Sequence, residues 1–264
     1  MALIYEPAGR AREYAALACN VYRGCDHRCT YCYAPSATQT AREAFGKPRL
    51  REGFLTQLEK EAEAIRPGAQ VLLSFTCDPY QLVDCQHFVT RKTIMALHRH
   101  GLFVCVLTKG GGRALRDLDL FGPGDAFATT LTFLDAERSR KWEPGAALPD
   151  SRLRTIQAFH DAGIETWVSL EPVIDPAASL EIIRRTAGYV DLFKVGKLNH
   201  HPLAATIDWR AFALNAVALL KSLGKAYYIK NDLAAFVPEL QLPAMPQHAA
   251  PPARLPQFAQ ARLL

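Results

Sequence analysis

The 264-residue sequence contains no run of about 18 apolar residues, so no segment of it is built to cross a bilayer as a helix. Its opening, MALIYEPAGRAREYAALACN, lacks the basic stretch and following apolar stretch of a secretory leader. No internal repeat recurs, which excludes a solenoid or propeller. No one-sided charge dominates either. With 31 Lys+Arg against 26 Asp+Glu the net charge is +5, which permits a nucleic-acid partner without requiring one. No basic run or aromatic stacking module decides that question. An even, dispersed set of cysteines is also missing. There are seven, Cys19, Cys25, Cys29, Cys32, Cys77, Cys85 and Cys105, and four of them fall within fourteen residues, a poor pattern for a disulfide framework. These absences point to a soluble, cytoplasmic protein in a reducing compartment, with no membrane partner, where thiols serve metals or chemistry.

What is present is an ordinary globular composition, 49% hydrophobic and 22% charged, in a chain long enough to bury a full core unaided. Short apolar runs at 71–75, 102–108, 126–133, 165–170, 189–195 and 226–230 read as buried parallel strands, with a lead-in strand near 15–20. Amphipathic segments lie between them at 51–66, 89–100, 113–120, 150–162, 177–187 and 208–223. The segment 150–162 has Asp150 and Ser151 as cap candidates and stops at Gly163. This alternation gives about six to seven βα units. The expected fold is α/β, an incomplete (β/α)6-type or near-complete parallel β/α barrel, with an open doubly wound sheet as the competing architecture. In a barrel the chemistry sits at the C-terminal ends of the strands. Composition divides the chain into a lead-in (1–17), the barrel (18–232) and a Pro-rich tail (233–264) carrying Pro238, Pro243, Pro246, Pro251, Pro252 and Pro256.

The sequence YRGCDHRCTYCYAP places Cys25, Cys29 and Cys32 in a C-x3-C-x2-C loop just after the first expected strand. Three thiolates this close suit one metal centre, and a cubane with three protein ligands leaves one iron free for another molecule. Structural zinc, with His27 or Cys19 as fourth ligand, is the alternative. Zinc sites usually pair two ligand knuckles across a longer stretch, and no second pair follows here.

The cysteine spacing, the aromatic Tyr31 before the last cysteine and the loop's place at the head of a β/α array resemble the radical S-adenosylmethionine superfamily. That resemblance implies a [4Fe–4S] cluster on Cys25, Cys29 and Cys32 with S-adenosylmethionine chelated at the open iron. It also implies reductive cleavage to a 5′-deoxyadenosyl radical that abstracts hydrogen from a substrate, and an electron donor of flavodoxin or ferredoxin type. RGCDHRCTYCYA, SFTCDPYQ (74–81), VLTKG (106–110) and EPGAALPDSRLRTIQAFHDAGI (143–164) further resemble the spore photoproduct lyase and "DNA repair photolyase" branch, over roughly residues 18–200. This implies a nucleic-acid base or lesion as substrate. The same radical chemistry on a peptide, protein or small metabolite is one alternative, and a non-catalytic zinc- or cluster-binding protein is another.

The Gly-Gly-Glu segment by which many such enzymes hold the cofactor's ammonium is absent. Thr76 and Asp78 stand at the equivalent strand end as acceptors, with a plain Asp-Pro turn as the other reading. By similarity to the lyase, Lys109 would contact the cofactor carboxylate, helped by Thr130, and Tyr31 would pack by the adenine. The lyases place a hydrogen-donating cysteine where Phe75 stands; Cys77, two residues on, is the candidate donor, on the argument that i and i+2 share a strand face. Tyr33, bracketing Cys32 with Tyr31, is a candidate radical relay. Gly110, Gly111, Gly112 and Arg113 offer a phosphate cradle or a plain turn. Glu171, Lys194, Lys197, Asn199 and Lys230, all at strand ends, are candidates for the substrate side.

Overall fold

The computed structural model describes residues 2–245. Eight strands form one sheet in sequence order: β1 (Ile4–Tyr5), β2 (Leu17–Cys19), β3 (Gln70–Leu73), β4 (Phe103–Thr108), β5 (Ala126–Thr130), β6 (Glu165–Leu170), β7 (Leu192–Val195) and β8 (Ala226–Ile229). β1 is antiparallel to β2, every later neighbour pair is parallel, and β8 does not close onto β1. The fold is thus an open, incomplete β/α barrel. Helices Phe54–Glu63, Val89–Arg99, Pro149–Asp161, Pro176–Thr186 and Trp209–Ser222 cross between strands where the amphipathic segments stand, and a 3-10 segment, Gly111–Leu120, makes the crossover from β4.

The strands' side-chain alternation divides the core in two. Val71, Leu73, Val104, Val106, Phe127, Val168 and Phe193 face outward into the layer shared with the helices. There Phe127 stacks on Phe159 with ring centroids 3.8 Å apart. The inward set is Ala18, Leu72, Cys105, Ala126, Ala128, Trp167 and Leu192. Alanines on three strand positions leave a space that Trp167 fills, its indole N–H donating to Cys105 Sγ at 3.2 Å. The same alternation turns Lys194 inward, opposite Ser169 in register. Its Nζ lies 4.3 Å over the Trp167 ring and donates to the Tyr14 carbonyl at 2.8 Å.

Several sequence expectations shift. The helix at 150–162 begins at Pro149, with Leu148 as its cap residue. Proline at the first turn replaces the side-chain cap expected of Asp150 or Ser151, because it needs no amide partner there. Gly163 closes the helix at φ +77°, as its position suggests. The runs 71–75 and 126–133 leave the ladder at Leu73 and Thr130, which frees their last residues for the site. Residues 1–17 are not merely a lead-in: Ile4 pairs with Cys19 and Tyr5 with Ala18, so no structural boundary lies at 17/18. The boundary at 232/233 likewise cuts the short helix Asn231–Ala234, and Val237 beyond it is fully buried. The tail's prolines from Pro246 onward lie outside the described residues.

Burial pushes the Lys194 pKa down from 10.5 to about 8. The unfolded chain therefore holds more protons than the folded one between those limits, and stability should rise with pH across that window. Urea unfolding followed from neutral pH to 10.5 should show this rise in the native protein and a flatter profile in Lys194→Met; an equal rise in both would refute the assignment.

Candidate cluster and cofactor site

Cys25, Cys29 and Cys32 occupy the loop after β2 and form no disulfide. The loop is held by partners other than the thiols. The Cys25 amide donates to the Phe45 carbonyl at 2.8 Å, and the Asp26 amide to Gln81 Oε1 at 2.9 Å. Asp26 Oδ2 accepts from the Leu82 amide at 2.9 Å. The Arg42 guanidinium donates to the carbonyls of Cys29 and Cys32 at 2.9 and 3.0 Å. Behind the loop, Gly145 donates to the His27 carbonyl at 3.0 Å, and a Cβ there would lie 2.2 Å from the Asp26 carbonyl oxygen, so the contact admits glycine alone. Backbone and arginine hydrogen bonds thus hold the loop, and its three sulfurs are free of disulfides.

His27 is not a spare ligand. Burial drives its pKa down to about 4, so the ring is neutral. Its Nε2 takes the Arg113 guanidinium at 3.0 Å, and Nδ1 lies 3.4 Å from Asp78 Oδ2. Cys19 is buried in β2 with its pKa pushed up to about 12 by burial. Among the described residues no three His, Cys, Asp or Glu side chains converge on one ion position, as zinc requires. A cubane gives each thiolate its own iron corner, and three thiols on one anchored loop suit that donor set.

A cavity of about 380 Å³ opens beside the loop at the C-terminal strand ends. Cys29, Cys32, Tyr31, Tyr33, Lys109 and Thr130 line it, together with Tyr14, Phe75, Ser169, Glu171 and Lys230. Lys109 extends past β4 with no hydrogen-bond partner on Nζ among the described residues, and Nζ lies 5.7 Å from the Tyr31 ring centroid. Burial works against its charge, but Cys29 and Glu143 outweigh it and raise its pKa. An unpaired ammonium of this kind suits a ligand carboxylate. The Tyr31 hydroxyl donates to Glu143, which Arg152 pairs at 2.5 Å; Thr132 also donates to Glu143 at 3.2 Å.

The family model of the Radical SAM superfamily matches residues 19–190. This chain belongs to the radical SAM superfamily. Its members use a [4Fe–4S] cluster and S-adenosylmethionine. The chain is 30% identical over 168 residues to an uncharacterized protein of Mycobacterium tuberculosis, covering 59% of this chain and 48% of that one. It therefore spans about half the length of the mycobacterial relatives it matches. An uncharacterized protein of Methanocaldococcus jannaschii is 24% identical over 221 residues, covering 82% of this chain and 80% of that protein. Among solved structures, a spore photoproduct lyase variant with bound AdoMet and dinucleoside spore photoproduct has a similar fold, with TM-score 0.64, 14% identity and coverage of 82% of this chain and 76% of that one. Streptococcus suis SuiB bound to S-adenosylmethionine is similar at TM-score 0.59 and 12% identity, over 86% of this chain and 53% of that one.

The structure places the candidate site residues differently. Cys29, Cys32, Tyr31, Tyr33, Lys109, Thr130 and Cys77 share the cavity, with Cys25 beside it on the same loop. Cys77 reaches it although β3 has already ended, so the strand-face argument fails while the placement stands. Its sulfur accepts from the Tyr22 amide at 3.4 Å, and burial raises the thiol to about 11, keeping it protonated. Asp78 lines the cavity but its oxygens are already taken, by Thr108 Oγ1 at 2.6 Å and by the amides of Tyr80 and Lys109 at 2.9 and 2.7 Å. It braces the strand ends rather than waiting for an ammonium. Thr76 is not on the cavity surface; its amide is bound by Asn20 Oδ1 at 2.8 Å, and Ser74 stands in the wall instead. The glycine run is a packing device, not a phosphate cradle. Gly110 and Gly112 amides are bound by Thr108 and Ser151 hydroxyls at 2.7 and 3.0 Å, and a Cβ on Gly110 would strike Tyr80 Cβ at 2.5 Å. Of the substrate-side residues, Glu171, Lys197, Asn199 and Lys230 line the cavity while Lys194 lies below it in the barrel.

Sequence reasoning missed Glu143 and Arg152, each 1% exposed, because a pair nine residues apart carries no motif. A charged pair within the quoted 143–164 segment was the available signal. Arg152→Met would leave Glu143 buried without its counter-ion and should cost about 3–5 kcal/mol, with much of the loss recovered in Glu143→Gln/Arg152→Met. Urea titration of the three variants measures this; a single variant within about 0.5 kcal/mol of native would show that the pair does not brace Tyr31.

Proposed function

We propose that the chain is a radical SAM enzyme acting on a nucleic-acid base or base lesion. The observation that carries this reading is one cavity lined by Cys29 and Cys32 of the cysteine loop, by Tyr31, Lys109 and Thr130, and by Tyr14, Phe75, Ser169, Glu171 and Lys230. A cofactor and a substrate held in the same cavity bring the cofactor's reactive carbon to the substrate. Cys25, Cys29 and Cys32 are the proposed cluster ligands, and their number leaves one iron open. When bound, the cluster supplies the single electron that cleaves S-adenosylmethionine to methionine and the 5′-deoxyadenosyl radical. Lys109 pairs the cofactor carboxylate with a charge-assisted hydrogen bond, Thr130 adds a hydroxyl, and Tyr31, fixed by Glu143, supports the adenine.

Cys77 is proposed as the hydrogen-atom donor to the substrate radical, its thiol being protonated and on the cavity surface. Tyr33, half-exposed with its hydroxyl 3.4 Å from the Phe75 carbonyl, is the proposed relay at the mouth. The nucleic-acid assignment draws on the fold shared with spore photoproduct lyase and on the aromatic lining, which suits flat rings. The reductant is of flavodoxin or ferredoxin type, and the free thiols fit a reducing cytoplasm. No helix among the described residues is long and apolar enough to cross a membrane.

Anaerobic reconstitution should give a brown protein with about four iron atoms per chain. Dithionite and S-adenosylmethionine should then release 5′-deoxyadenosine, and Cys29→Ala should lose both iron and product. A colourless zinc protein would end the radical reading. Nucleic-acid binding should weaken steeply as salt rises; salt-independent or absent binding would move the substrate to another class. In D₂O, turnover should place deuterium from the exchanged Cys77 thiol into product, and Cys77→Ala should lose that label; a label that persists removes Cys77 from the role.

A further inference from the structure

Part of the cavity lining is organised around Glu171, which in the sequence is only a polar residue after a strand. Its Oε2 accepts from the Tyr14 hydroxyl at 2.6 Å and from Lys230 Nζ at 2.5 Å. Gly196 makes room for the carboxyl group: a Cβ there would lie 2.8 Å from Glu171 Cδ and 3.1 Å from Oε1. Oε1 takes no hydrogen bond from any described residue, is not sealed from solvent, and belongs to a residue on the cavity surface. Lys230, 2% exposed on its side chain, lines the same cavity and lies 4.2 Å over the Tyr14 ring. An ammonium has three donors, and Lys230 gives one of them to Glu171.

The pair therefore offers an open acceptor beside spare donors, at zero net charge. A carboxylate ligand would be repelled by Glu171, and a simple cation by Lys230. The complementary ligand is neutral and carries an N–H next to a C=O. Tyr14 and Phe75, ring centroids 5.8 Å apart at 70°, give the cavity flat apolar faces for a planar ring. We infer that Glu171 and Lys230 form the substrate-reading edge of the cavity and recognise the amide or imide edge of a cyclic lactam, as a nucleobase presents it. This rests on the proposed function and names the chemistry by which that site would choose its base. Tyr14 and Lys230 hold Glu171 in place and are positioning residues in this scheme.

Glu171→Gln tests it with little change of size. The amide oxygen must turn to the two donors, Tyr14 and Lys230, which puts an NH₂ group where Oε1 stands and replaces an acceptor by a donor. Equilibrium dialysis of the cluster-loaded native protein should show thymidine binding at least about tenfold more tightly than N3-methylthymidine, which lacks the imide N–H. In Glu171→Gln that preference should vanish, with thymidine weakened to the level of the methylated probe. Equal binding of the two probes by the native protein, or no binding of either, overturns the inference. So does a Glu171→Gln variant in which S-adenosylmethionine affinity falls as far as thymidine affinity, since Glu171 would then serve the cofactor. Failure of the native protein to form 5′-deoxyadenosine would overturn the proposed function instead, and that measurement is independent of the probe comparison.

Discussion

Asp78 carries no exposed charge, yet its carboxylate joins the parts from which the site is made. One oxygen accepts from Thr108 Oγ1 and the Tyr80 amide, the other from the Lys109 amide, with the buried, neutral His27 ring alongside. These contacts fasten the end of β3 to the end of β4 and both to the cysteine loop. Burial alone would raise the Asp78 pKa, but His27, charged only in the acid range where Asp78 titrates, outweighs it together with the Lys109 amide and Thr108 and holds the carboxyl below its usual range. A buried carboxylate is expensive to desolvate unless it accepts hydrogen bonds, and here it accepts three. The position of Lys109 relative to Cys29 follows from this one group.

A second constraint is the charge the barrel keeps inside. Glu143 with Arg152, Glu171 with Lys230, and Lys194 on a carbonyl and an indole face all lie where water is scarce. Such pairs add little net stability over apolar packing, but breaking one is costly. Their value here is positional. Glu143 fixes the Tyr31 hydroxyl, while Tyr14 and Lys230 fix Glu171. Tyr31 and Glu171 are thereby held on the cavity lining by hydrogen bonds that leave them few alternative arrangements.

The spacing of Cys25, Cys29 and Cys32, the alternation of apolar runs with amphipathic segments and the polar strand ends were all legible in the sequence, because each is a local pattern with a fixed physical meaning. A parallel β/α array, incomplete or near closure, follows from those patterns, while the family and its cofactors follow from what the cysteine loop resembles. Local pattern also misled. The aspartate of a Cys-Asp-Pro run looks like a free acceptor until Thr108 and two amides are seen to fill it, and three glycines look like an anion cradle until Tyr80, Ala147 and Ser151 are found packed against them.

What the sequence determined by itself is the donor set: three thiols in a loop too short to lose its register, at the head of a parallel β/α array. What only the tertiary structure decided is the company those thiols keep. Glu143 meets Tyr31 across 112 positions, Tyr14 meets Glu171 across 157, and Ile4 and Tyr5 pair with Cys19 and Ala18. Contacts at such separations arise from strand register and crossover geometry, which no short window of residues encodes. The metal chemistry is therefore written locally, and the chemistry that chooses a substrate is written in the fold.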